Sequence, residues 1–255
     1  MKLRSIILLS AATCLTSLPA LAQSYSGALT FGYGSHSVSD ADEELDTISL
    51  SGTYDADFGN GFSMGVDLAM GELDIGGVPF SIDGRSLGLE AKYTFAGGYR
   101  AGVYAERIKL SVPGFAVGVS ATSYGVTGGY AAGPFAVDAH VGKTTTDPDL
   151  PDGVTIRDIG LVGHYDASEA LRLGGGFVRT RIESSGDQAD IDTLGLGGVY
   201  DIDTSWTVFG GIARNALDMS GIGKGDITTI GLGASYQMTA VAGLDYVLSL
   251  ELARS

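Results

Sequence analysis

The sequence predicts an all-β protein, an antiparallel transmembrane β-barrel of 12 to 14 strands (12 slightly preferred), with short periplasmic turns and longer acidic outer loops. Three observations predict it. Apolar residues alternate at period 2 in segment after segment, the spacing of a strand with one apolar face. An aromatic residue repeatedly closes that apolar face just before a short turn. The connections then alternate short and long, a rule that a barrel crossing a bilayer needs because its two rims face different compartments.

Composition removes the competing classes. The chain has 255 residues, 40 of them Gly, with 18% charged and 44% hydrophobic residues and a net charge of −15. Glycine is enriched about twofold over the usual ~7%, yet no Gly-X-Y period occurs, which excludes collagen. A mean hydropathy of +0.21 is too apolar for a disordered acidic chain. No run of about 18 apolar residues follows residue 22, so the chain does not read as a helical membrane protein. Net acidity argues against a nucleic-acid partner, which calls for a basic stripe.

Residues 1–22 read as a secretory signal. Lys2 and Arg4 precede the mostly apolar stretch Ile6–Leu18, and Ala20-Leu21-Ala22 presents small residues for cleavage after Ala22. Residues 23–255 then form the barrel domain. The single cysteine, Cys14, lies inside the signal, so the mature chain is held by hydrogen bonding rather than by disulfides.

The first segment after the signal, Tyr25–Tyr33, alternates as well. A pattern of apolar, x, apolar, x, small, x, Tyr then recurs, starting at Ile48 and ending at Tyr54. It returns ending at Tyr93, Tyr130, Tyr165, Tyr200 and Tyr236. These tyrosines are 39, 37, 35, 35 and 36 residues apart. Such a period could suit a helical repeat array, but the internal alternation is that of strands. Turn residues follow the tyrosines, as in Ala96-Gly97-Gly98 and Ala131-Ala132-Gly133-Pro134, and read as hairpin connections. A second alternating segment comes after each turn, for example Phe62, Met64, Val66, Leu68, Met70, or Leu244, Tyr246, Leu248, Leu250, Leu252. Longer polar connections are read at Ser37–Asp46 and near 73–84, 111–120, 144–153, 184–190 and 217–225.

Six tyrosine-marked hairpins plus the first segment make thirteen strands, whereas single-chain bacterial barrels have an even number. Three resolutions stay open: the first segment lies outside the wall, the terminal segment is short or packed inside, or Ser111–Ser120 holds a further strand.

Tyr54, Phe58, Tyr93, Phe95, Tyr130, Tyr165, Tyr200, Trp206 and Tyr236 fall at one level and read as an aromatic belt at a headgroup boundary. The opposite face carries Gly, Ser and Thr with sparse charges, which suits a lumen. The candidate pore-lining residues are Glu90, Lys92, Arg100, Glu106, Asp138 and His140. They can set ion selectivity, as charged rings do, or form cross-strand ion pairs that fill a narrow barrel.

The segments Leu196–Asp203, Trp206–Ala213 and Ile230–Tyr236 resemble alphaproteobacterial outer-membrane porins of the Rhodobacter type, most clearly over the last 65 residues or so. The resemblance implies a passive diffusion channel for small hydrophilic solutes, assembled as a homotrimer. The chain departs from that family in being shorter than sixteen strands require and in the brevity of Ser111-Val112-Pro113-Gly114-Phe115, where a long inward loop would sit. The expected location is the outer membrane, with bilayer lipid and lipopolysaccharide as partners. Acidic loops and the net charge favour cations over anions.

No enzyme motif and no cofactor motif is present: G-x-S-x-G, the P-loop and His-Glu-x-x-His are all missing. Asp147, Asp149 and Asp152 miss the EF-hand spacing and read as a solvated acidic loop. His36 is placed near the outer rim. His140 and His164 are placed at lumen positions on well-separated strands, and all three are expected to be solvated polar groups. The alternative function is a closed structural or surface-interaction barrel without an open pore.

Overall fold

A computed structural model describes residues 24–38, 44–75, 81–113, 118–147, 155–184, 187–219 and 223–238. They form twelve strands: β1 (Ser24–Val38), β2 (Glu44–Asp57), β3 (Phe62–Ile75), β4 (Ser81–Thr94), β5 (Tyr99–Ser111), β6 (Gly118–Ala132), β7 (Phe135–Asp147), β8 (Thr155–Asp166), β9 (Leu171–Ser184), β10 (Asp187–Asp201), β11 (Trp206–Met219) and β12 (Gly223–Met238). Each strand pairs antiparallel with its neighbours in the chain, and β1 pairs with β12 to close the sheet. An even number makes that closing pair antiparallel like all the others.

The first resolution of the odd strand count is overturned. Tyr25–Tyr33 belongs to the wall, since Gly27 to Val38 pair with Met238 to Ile227 of β12. The third fails as well among the described residues, because β5 ends at Ser111 and β6 begins at Gly118. The terminal segment 244–252 lies outside the described residues, as do the signal 1–22 and the loop positions Asp149 and Asp152.

Alternation determines which way each side chain points. Leu87, Leu89 and Tyr93 on β4 are exposed, as are Phe135, Val137 and Val141 on β7 and Leu194, Leu196 and Tyr200 on β10. Exposed apolar residues at every second position of a closed sheet face outward, toward lipid. The belt residues Tyr93, Phe95, Tyr130, Tyr165, Tyr200, Trp206 and Tyr236 are all exposed. Tyr99 and Phe135 join them, since the first ring after a short turn packs on the closing tyrosine of the next hairpin: Tyr99–Tyr130 at 4.8 Å, Phe135–Tyr165 at 4.7 Å, Trp206–Tyr236 at 5.1 Å between centroids.

The short turns all lie at one rim. At 95–98 the amide of Phe95 donates to the Tyr99 carbonyl at 2.8 Å. Gly98 there has φ +87°, and a Cβ would overlap the Ala131 carbonyl, so only glycine fits without strain. In the 202–205 turn the Asp203 carboxylate accepts from the amides of Ser205 (2.7 Å) and Trp206 (2.9 Å). Those two donors hold the Asp203 carboxyl below the ordinary carboxylate range. At the other rim the strands run further than alternation suggests: β3 reaches Ile75, β4 starts at Ser81, and β9 and β10 leave only 185–186 between them.

The β12–β1–β2 seam is fastened from inside. His36 is 6% exposed. Its Nδ1 lies 2.7 Å from Thr229 Oγ1 of β12 and its Nε2 3.1 Å from Thr47 Oγ1 of β2. Thr30 Oγ1 donates to Ser235 Oγ at 3.0 Å further down the same seam. His36 is therefore a buried clasp, which corrects its reading as a solvated residue. Its flanking strands supply hydroxyls that satisfy both ring nitrogens, so burial does not leave a polar atom unpaired.

Candidate functional site

The lumen is the candidate site. Glu90, Lys92, Arg100, Glu106, Asp138 and His140 alternate with the exposed apolar residues of β4, β5 and β7 and so face inward. Strand register sorts them into rows. One runs Thr94, Arg100, Gly129, Asp138 across β4–β7, and the next runs Lys92, Gly102, Thr127, His140, Gly160 across β4–β8. Above it lie Glu90, Tyr104, Gly125, Gly142 and Asp158, and above those Gly88, Glu106, Ser123 and Thr144.

Glycines let the charged groups meet. Arg100 Nη2 donates to Asp138 Oδ2 at 2.9 Å across the intervening β6. Gly129 stands between them in register, and a Cβ there would overlap the Asp138 carboxylate and come 2.8 Å from the Val137 carbonyl oxygen. Tyr104 Oη reaches over Gly125 and Gly142 to donate to Asp158 Oδ2 at 3.1 Å. A Cβ at Gly142 would meet both partners. His140 Nε2 sits 3.1 Å from the same Asp158 oxygen, and its ring lies where a Cβ of Gly160 would be. Lys92 Nζ pairs with Glu90 Oε2 at 2.9 Å, and Ser123 and Thr144 hydroxyls meet at 2.6 Å. The glycine enrichment on this wall thus has a steric cause: long polar side chains lie flat over positions that have none.

The lumenal histidines are not on well-separated strands. His140 on β7 and His164 on β8 lie on adjacent paired strands, with His164 opposite Ala136 and His140 opposite Gly160. The His140 side chain is 13% exposed and engaged with Asp158, not solvated. Among the described residues no group of three or more His, Cys, Asp or Glu could hold a metal ion.

Two participants, Tyr104 and Asp158, escape sequence reasoning that looks for charge clusters. Their inward parity was available, because Tyr104 alternates with Val103 and Ala105, and Asp158 with Ile159. Their contact was not, since it spans four strands.

The lumen is two-sided. On β2–β8 the carboxylates Asp55, Asp67, Glu90, Glu106, Asp138 and Asp158 outnumber Lys92 and Arg100. The facing middle of β10–β12 offers Thr193, Gly195, Gly197, Phe209, Gly211, Thr229, Gly231 and Gly233, with no charge.

The family model described as Gram-negative porin matches residues 53–247. No curated protein sequence matches the chain. Among solved structures, an outer-membrane channel from Pseudomonas putida F1 is similar with a TM-score of 0.63 and 11% identity, covering 84% of this chain and 95% of that one. The CymD monoaromatic hydrocarbon channel is similar with a TM-score of 0.57 and 8% identity, covering 87% and 90%. The translocator domain of the autotransporter NalP from Neisseria meningitidis gives a TM-score of 0.54 and 13% identity, covering 92% and 98%. At such identities these likenesses establish the fold alone.

Proposed function

The chain belongs to the Gram-negative porin family, and from that premise we propose that it is a passive, non-enzymatic and cation-leaning channel for small hydrophilic solutes in the outer membrane. The observation that carries this reading is the direction of the lumenal network. Three of its contacts run along the wall: β5 to β7 for Arg100–Asp138, β5 to β8 for Tyr104–Asp158, and β7 to β8 for His140–Asp158. Side chains held along the wall support an open bore, whereas a plug needs contacts between opposite walls. A wall of twelve strands lies between eight, which side chains fill, and sixteen, which enclose an aqueous channel. The carboxylate surplus on one wall raises local cation concentration.

The finer assignments belong to the same proposal. The short-turn rim faces the periplasm and the strand ends beyond the apolar band face outward, as in other outer-membrane barrels. Residues 1–22 export the chain, 23–255 form the mature barrel, and lipopolysaccharide surrounds it. The resemblance of Leu196–Asp203, Trp206–Ala213 and Ile230–Tyr236 to Rhodobacter-type porins supports that relationship and, with it, assembly as a homotrimer. Osmotic swelling of liposomes carrying the refolded chain tests the channel. Swelling in small neutral sugars, falling off with sugar size, is the expected result. Liposomes that contain folded barrel and do not swell would favour the closed-barrel alternative.

A further inference from the structure

The outward face of the barrel changes character abruptly at the level where its apolar band ends. On β7 and β8 the last apolar outward residues are Val141 and Ile159, both exposed. The next outward position on each strand is a cation, Lys143 and Arg157. β9 follows Phe177 with Arg179 and Arg181. The short-turn rim shows tyrosine and phenylalanine at the corresponding boundary instead.

Register makes the cations neighbours. Lys143 lies directly opposite Arg157, and Arg157 directly opposite Arg181, one row across three strands. A second like-charged pair, Arg85 opposite Lys109, sits at the same end of β4 and β5. Like charges placed directly opposite oppose sheet formation. Acidic residues are plentiful, 30 against 15 Lys and Arg, and elsewhere on this rim they relieve the cations. Arg179 holds Asp192 through two hydrogen bonds of 2.6 Å, Arg214 holds Asp226 at 2.8 Å, and Lys224 holds Asp218 at 2.6 Å. Arg181 is bonded to Asp190 at 2.8 Å, with Glu183 at the next outward position. Lys143, Arg157, Arg85 and Lys109 have no carboxylate in ion-pair reach among the described residues.

We propose that the unrelieved pair Lys143 and Arg157 binds a phosphate group carried by an outer-leaflet glycolipid. This deepens the reading above and rests on its placement of this rim at the outer leaflet. A phosphate monoester carries close to two negative charges and three acceptor oxygens. One such group can be shared by cations on adjacent strands, with the Arg157 fork engaging two oxygens and Lys143 acting as a point charge. The acyl chains of the same lipid then run down over Val141, Ile159 and Phe177. Tyr124, exposed and directly opposite Lys143, supplies a ring at headgroup level, where amphipathic aromatics settle. Bound phosphate turns the repulsion within the pair into attraction, so the pair stabilises the barrel only in a membrane that supplies it.

The test measures the heat-modification midpoint of the refolded mature barrel in neutral maltoside micelles. Bisphosphorylated lipid A, the same lipid stripped of phosphate, and inorganic phosphate are titrated separately. The wild type is compared with the double variant K143Q/R157Q and with R214Q, whose cation is already paired. The phosphorylated lipid is expected to raise the wild-type midpoint. Its half-effect concentration should rise at least tenfold in K143Q/R157Q and stay unchanged in R214Q. Without lipid the double variant should melt above the wild type, a reversal of sign that a purely structural role would not produce. Equal protection by the stripped lipid or by inorganic phosphate overturns the proposal, and so does a double variant that titrates like the wild type. The channel reading fails separately, as loss of conductance by the same folded protein, and leaves this titration interpretable.

Discussion

Replacing Gly129 by alanine tests the steric role of the lumenal glycines. In a strand the change from glycine by itself stabilises by about 0.4–1 kcal/mol, through the entropy of the unfolded chain. At this position the added Cβ would overlap the Asp138 carboxylate and approach the Val137 carbonyl oxygen to 2.8 Å. The carboxylate can swing away, but the backbone carbonyl cannot, so the β6–β7 spacing must give. Overpacking of that kind costs about 1–3 kcal/mol. Moving Asp138 also breaks its pair with Arg100, and with Asp138 49% exposed solvent screening leaves about 0.5–1 kcal/mol there. The net expectation is destabilisation by about 1–3 kcal/mol. Gly231 is the control. A Cβ there meets nothing nearer than the Tyr33 carbonyl oxygen at 3.6 Å, an ordinary contact, so Gly231→Ala should stabilise by about 0.5 kcal/mol. Urea unfolding of the two refolded variants, followed by gel mobility and far-ultraviolet circular dichroism, gives the comparison. Equal midpoints would refute the idea that glycine makes room for lumenal side chains.

Other consequences follow from the same geometry. Tyr104→Phe removes the donor to Asp158 and should lower stability by about 1 kcal/mol in the same urea assay, while Tyr124→Phe, on the outward face, should leave it unchanged. Neutralising a lumenal charge about 10 Å from a permeating ion alters its energy by about 0.4 kcal/mol in water, or about twofold in concentration. Glu90→Gln should therefore reduce cation preference and Arg100→Gln increase it, read as opposite shifts of reversal potential. Because the Asp203 carboxyl is held below its ordinary range, its contribution to stability is complete above the unfolded value near 3.8 and fades as pH falls through the lower folded value. Asp203→Ala should flatten the stability profile in that acid window and leave the profile at pH 7 to 9 parallel to that of the wild type, as measured by thermal unfolding across pH.

The wall was legible because lipid imposes a simple code. Leu87, Leu89 and Tyr93, or Leu194, Leu196 and Tyr200, must all point one way, and the closing tyrosine fixes the level. Strand ends were harder to read. Beyond the apolar band the outward positions turn charged, as at Arg179, Arg181, Asp190 and Asp192, so alternation of hydropathy stops although hydrogen bonding continues. The polar stretch at 184–190 therefore reads as a connection, whereas β9 and β10 together fill most of it. The candidate site was half legible. Parity assigned Glu90, Lys92, Arg100, Glu106, Asp138 and His140 to the lumen, but pairing partners depend on register across several strands. Arg100 with Asp138, or His140 with Tyr104 and Asp158, requires knowing that Gly129, Gly142 and Gly160 lie in the same rows. His36 shows the same limit: its hydroxyl partners, Thr229 and Thr47, lie on strands at opposite ends of the chain and on the next hairpin arm, and they meet only when the sheet closes.

Single-channel recording of the refolded mature chain in a planar bilayer, under a potassium chloride gradient, tests the central claim that the network lies along the wall of an open bore. Discrete conductance steps are predicted, with a reversal potential on the cation-selective side that moves toward zero in Glu90→Gln. A barrel that is folded and heat-modifiable but electrically silent would contradict the account.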